Sequence, residues 1–94
     1  MKKEFKAQFT RNETPDKWEN ATKFATGKLY NTSIEDAKKA IEYVKECFPD
    51  NANETIIHAC DFSIGSYVDE TTAHKIAVNK TRIVMREVTD WEEV

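Results

Sequence analysis

With two glycines and two prolines in 94 residues, the chain has too little backbone punctuation for a many-turned all-β domain, a collagen-like repeat or a flexible linker. The same scarcity leaves no glycine-rich phosphate cradle. No Walker motif, dinucleotide fingerprint or EF-hand loop is present. Cysteine is equally sparse: Cys47 and Cys60 form no Cys-x2-Cys pair, so the spacing supports neither a disulfide framework nor a zinc knuckle. No apolar run approaches a membrane span, and polar residues interrupt MKKEFKAQFTR too often for a signal peptide. The expected compartment is cytoplasmic, with reduced thiols and no membrane partner.

An excess of basic charge is also missing. Lys and Arg number 14 against 17 Asp and Glu, for a net charge of −3. Residues 1–47 carry ten basic and eight acidic side chains (+2), and residues 48–94 carry four and nine (−5). Eleven of the basic residues are lysine and three are arginine, which suits a solvated surface better than bidentate phosphate recognition. This balance argues against a nucleic-acid partner, although Lys2, Lys3, Lys6 and Arg11 form a basic amino-terminal group.

What is present fits one domain spanning residues 1–94. Hydrophobic residues make up 39% and charged residues 33%, with ten aromatics. That is a lean core, well outside the disordered regime. Five of the six asparagines (Asn12, Asn20, Asn31, Asn53 and Asn79) begin Asn-x-Ser/Thr triplets. Without an export signal these read as turn and helix-cap chemistry instead of glycosylation acceptors.

The alternation of Phe5, Ala7 and Phe9 with Lys6, Gln8 and Thr10 predicts a strand over Glu4–Arg11. Thr14-Pro15-Asp16 looks like a helix start, and Trp18, Ala21, Phe24 and Ala25 recur at helical spacing before Gly27. A second helix over about 15–26 is therefore expected, with a hairpin turning at Thr26-Gly27 as its rival. The main helix is predicted over about 33–48, capped by Thr32 or Ser33. Its apolar stripe comprises Ile34, Ala37, Ile41, Val44 and Phe48, widened by Ala40 and Cys47. Ile56, His58, Cys60, Phe62 and Ile64 alternate as the covered face of a further strand. Gly65 to Ala73 reads as polar turn. The clusters Ile76-Ala77-Val78 and Ile83-Val84-Met85 predict either a hairpin or a short helix followed by a strand. The expected architecture is an α+β two-layer sandwich, with a small, mainly antiparallel sheet of three to four strands packed by the 33–48 helix.

Few side chains converge on chemistry. His58 and Cys60 would project to one side of their strand about 6–7 Å apart. Cys47 lies on the helix face that covers them and His74 on the next element, making four candidate ligands for a tetrahedral ion. The spacing lacks any ligand knuckle, so no metal and no cofactor is implied. The same His58–Cys60 pair is the candidate for an activated thiol, but a mid-strand cysteine lacks access and oxyanion donors.

The reading is a non-catalytic protein–protein interaction module, self-associating or acting as an acidic inhibitor or adaptor of the kind a virus or mobile element encodes. Trp18, Tyr67 and Trp91 are its candidate contact residues. The alternative is a single-stranded nucleic-acid binder using the basic amino-terminal strand, with Phe5, Phe9 or Trp18 as stacking groups.

Overall fold

A computed structural model describes residues 2–50 and 69–88. They form an α+β domain: a three-stranded antiparallel sheet of order β2-β1-β3, packed against helices. The elements run β1 (Lys2–Arg11), β2 (Thr14–Asn20), α1 (Ala21–Thr26), α2 (Ile34–Cys47), α3 (Glu70–Ile76) and β3 (Val78–Val88). The predicted strand Ile56–Ile64 lies outside the described residues, as do His58, Cys60, Phe62, Tyr67 and Trp91.

β1 is the central strand. Its odd-numbered residues Ala7 and Phe9 are fully buried, and Phe5 packs against them. β3 lies antiparallel beside it, pairing Phe5 with Met85, Ala7 with Ile83 and Phe9 with Thr81. The register shifts between Phe9 and Arg11, and there Thr10 is buried, its hydroxyl accepting the Lys80 N–H at 3.1 Å. An irregularity of this kind re-aims side chains, and here it keeps a polar residue satisfied inside.

The segment 14–26 differs from expectation. Residues Thr14–Asn20 are a strand paired with β1, and the helix begins only at Ala21. Pro15 suits the first turn of a helix, but it suits an edge strand equally, where its missing N–H costs no ladder bond. The true start signal is Asn20, whose side-chain oxygen accepts the Lys23 N–H at 3.1 Å. Gly27 does terminate the helix, with φ +75° and its N–H donated to the Lys23 carbonyl at 2.8 Å. The chain does not turn a hairpin there. It returns to β1 at Asn31, which exchanges two backbone hydrogen bonds with Phe5 at 2.7 and 2.8 Å.

α2 follows its sequence pattern closely. Ser33 caps it through the Asp36 N–H at 3.2 Å, and Glu35 and Asp36 sit in the first turn, where they complement the dipole. Ala37, Ala40, Ile41, Val44 and Cys47 are buried, with Phe48 as the C-cap. Ile34 is the exception at 44% exposed. The first turn projects past the core, so helical period alone did not decide burial at that end.

The helix lies across β1 and β3 beside α1. Beneath it Phe9, Phe24 and Phe48 form a three-ring cluster with centroids 5.7–6.3 Å apart, two pairs edge-to-face and one stacked. Such geometry adds about 0.5–1.5 kcal/mol per pair beyond area burial.

The stretch 65–73 was expected as turn, yet from Glu70 it is helix. Asp69 caps α3 by accepting the Thr72 N–H at 2.7 Å. Asp-Glu-Thr-Thr reads as a turn by composition, but it is also a good helix entry. Of the two readings offered for 76–85, the short helix followed by a strand is the one found. Asn79-Lys80 lies within β3 and does not turn a hairpin.

Three of the acceptor asparagines have structural roles. Asn20 caps α1, Asn12 donates to the His74 carbonyl at 2.8 Å, and Asn31 is buried. The Asn31 side-chain oxygen accepts from the Thr22 hydroxyl at 2.8 Å, and that hydroxyl in turn accepts the Ala7 N–H at 3.0 Å. This joins α1, β1 and the connection before α2 by polar contacts inside the core.

Candidate functional site

One face of the sheet is taken by the core; the other carries the candidate site. Strand alternation puts the even-numbered residues of β1 (Lys2, Glu4, Lys6 and Gln8) on this outer face. Direct pairing sets Arg86 beside Glu4, Val84 beside Lys6 and Arg82 beside Gln8. On the other flank Asn20 pairs with Gln8, which brings Trp18, two residues earlier, to the same face. The Phe5–Asn31 bridge brings Tyr30 there too. Among the described residues no helix lies on this face.

The cations are stacked on the rings. The Arg82 guanidinium is 3.9 Å from the centroid of Trp18, and the Lys80 ammonium is 5.8 Å from it. Tyr30 has Arg86 at 4.4 Å and Lys6 at 4.9 Å. Two side-chain bonds tie the arginines down: Arg82 Nε donates to Gln8 Oε1 at 2.7 Å, and Arg86 Nη2 lies 3.5 Å from Glu4 Oε1. Lys6, Lys80, Arg82 and Arg86 thus share this face with Glu4, and two of the chain's three arginines stand on it. Beyond Tyr30 an open groove of about 570 Å³ continues the surface, lined among others by Lys2, Lys3, Lys28 and Leu29.

Of the predicted contact residues, Trp18 belongs to this face, while Tyr67 and Trp91 lie outside the described residues. Phe5 and Phe9, expected as stacking groups, are turned into the core, because they share the odd-numbered side of β1 with Ala7. Arg11 also departs from the basic amino-terminal group. It follows Phe9 on the inner side and covers the aromatic cluster, 4.4 Å from the Phe48 centroid. Its Nε pairs with Glu19 Oε2 at 2.8 Å, and Nη1 donates to the Ile76 carbonyl at 3.2 Å.

Tyr30, Lys80, Arg82 and Arg86 were missed. The signal existed: Lys80, Arg82, Val84 and Arg86 fall on alternate positions, as do Lys2, Lys6 and Gln8. It becomes a surface only when two strands from opposite ends of the chain are paired in register.

Of the four candidate metal ligands, Cys47 and His74 are among the described residues. Cys47 is 4% exposed in the core, and burial raises its pKa, with a smaller opposing contribution from a Tyr43 hydrogen bond. A thiol so placed stays protonated and poorly nucleophilic. His74 stands in different surroundings, exposed, with Nδ1 2.9 Å from Asp50 Oδ2. His58 and Cys60 lie outside the described residues. Among the described residues no group of three or more His, Cys, Asp or Glu side chains could hold an ion, and no helix is long and apolar enough to cross a membrane.

No protein family matches this chain, no curated protein is significantly similar to it, and no solved structure matches its fold. The functional reading rests on the face itself.

Proposed function

We propose that the protein is a non-catalytic binding module whose working surface is the outer face of the sheet and whose partner is anionic. One observation carries this reading: Lys6, Lys80, Arg82 and Arg86 are gathered around Trp18 and Tyr30 on the side opposite the core. The chain's net charge is −3, so this segregation makes a local positive field on an otherwise acidic molecule. Trp, Tyr and Arg are also the residue types that dominate binding energy at interfaces. Glu4, on the same face, lies 3.5 Å from Arg86 and helps hold that cation over Tyr30.

The test is retention on an immobilised sulfated polysaccharide at low salt. The wild type is expected to bind and to elute with added salt. The Arg82→Glu/Arg86→Glu double variant is expected to pass through, while Lys38→Glu/Lys39→Glu on exposed α2 positions behaves as wild type. An unretained wild type, or equal weakening by the two double variants, would sink the proposal.

A further inference from the structure

Resting on the reading of the outer face as an anion-binding surface, we infer that its partner is a single-stranded nucleic acid. Bases stack on Trp18 and Tyr30, and phosphates meet Lys6, Lys80, Arg82 and Arg86. Cations alone would serve any anion. The rings narrow the choice, because base–aromatic stacking needs a platform and tolerates any sequence, every base having a π-face.

Spacing points the same way. Trp18 is rooted two residues from Asn20, the partner of Gln8, and Tyr30 one residue from Asn31, the partner of Phe5. On the strand grid the two residues are rooted about four residues apart along β1, roughly 13 Å of backbone. Bases in a duplex repeat every 3.4 Å or so along a strand and hide their faces in the stack. Two platforms this far apart fit unstacked bases splayed from a single strand. Between and around the platforms the guanidiniums of Arg82 and Arg86 stay over the rings at 3.9 and 4.4 Å, where a planar fork can both stack and donate to phosphate. The groove past Tyr30, with Lys2, Lys3 and Lys28, extends the basic track in the direction the backbone would leave.

The charge balance of the two chain halves pointed away from a polyanion because it averages over sequence. Three of the four basic residues of the carboxy-terminal half, Lys80, Arg82 and Arg86, belong to β3.

The experiment is fluorescence anisotropy with end-labelled single strands of about twelve nucleotides, one RNA and one DNA. The comparison probes are the same DNA as a duplex and a polyglutamate peptide of similar charge. Tight binding of either single strand is the expected result, with duplex and polyglutamate at least about tenfold weaker. The stronger of the two single strands identifies the natural sugar. Four phosphate contacts predict a log–log salt slope near −3, at about −0.7 per contact on a single strand. Trp18→Leu should weaken binding roughly tenfold, within the range of one lost base stack, and Trp18→Phe should retain most of it. Circular dichroism checks that the leucine variant is folded; if it is not, Tyr30→Leu and Trp18→Phe carry the comparison. Polyglutamate binding as tightly as the oligonucleotides, with Trp18→Leu and Tyr30→Leu silent, overturns the nucleic acid while leaving the anion-binding face intact. No binding of any probe at low salt overturns both.

Discussion

The guanidinium of Arg82 on β3 lies 3.9 Å from the centre of the Trp18 ring on β2, and its Nε donates to Gln8 Oε1 of β1 at 2.7 Å. The two edge strands of the described sheet are thereby tied across the central one, on the face where none of the described helices lies. An exposed cation–π contact contributes about 0.5–1 kcal/mol. A double-mutant cycle of Trp18→Leu and Arg82→Gln, read by urea denaturation, should return a coupling in that range. A value indistinguishable from zero would mean that the stacking contributes nothing to stability.

Arg11 occupies the opposite side of the sheet and serves the fold. Its guanidinium covers Phe48, pairs with Glu19 and donates to the Ile76 carbonyl. Arg11→Ala uncovers the rings and strands a half-buried carboxylate, and should cost about 2–4 kcal/mol. Arg11→Met restores apolar cover but no donor, so it should recover part of that loss. Thermal or urea unfolding that ranks methionine no better than alanine would assign the whole effect to the ion pair.

Thr22 links the Ala7 N–H and the Asn31 side chain inside the core. Thr22→Val keeps the shape and leaves both groups without their partner, an expected loss of about 2–4 kcal/mol. Thr22→Ser keeps the hydroxyl and should stay within about 1 kcal/mol of wild type. Equal destabilisation by the two variants in urea titrations would point to the methyl group instead.

At the entry of α3 the bonds from Thr72 hold the Asp69 carboxyl below its ordinary value. The folded state thus prefers the carboxylate. The stabilisation it brings is complete above the ordinary carboxylate range and is lost as pH falls through the lower folded value. The Thr72 amide proton, followed by NMR, should titrate with an apparent midpoint below that of an unperturbed aspartate. In Asp69→Asn the titration should vanish while the helix cap persists. A Thr72 midpoint at the ordinary value would contradict the bond.

Local pattern was a good guide wherever one residue's neighbours in sequence were also its neighbours in space. The Ile34–Cys47 helix, its Ser33 cap, and the inward turn of Phe5, Ala7 and Phe9 were legible because helical and strand periodicity fix which side chains share a face. The same logic failed at Thr14–Asn20. Pro15 is compatible with a helix start and with an edge strand, and the spacing of Trp18 to Ala21 fits a helix by coincidence. What decided the matter was pairing with β1 and the reach of Glu19 to Arg11, neither of them local.

The candidate face was the least legible feature, for a related reason. The sequence by itself determined the composition of each strand: Lys6 and Gln8 on one side of β1, and Lys80, Arg82 and Arg86 on one side of β3. The partner of each strand, and hence the meeting of those two sides, was decided only by the tertiary structure. Antiparallel register is a long-range property, set by burying Phe9 of β1 against Val44 of α2 and its C-cap Phe48. Once that core forms, alternation leaves the cations no place but the opposite face. There they collect beside Trp18 and Tyr30, and a chain of net negative charge presents a basic aromatic surface.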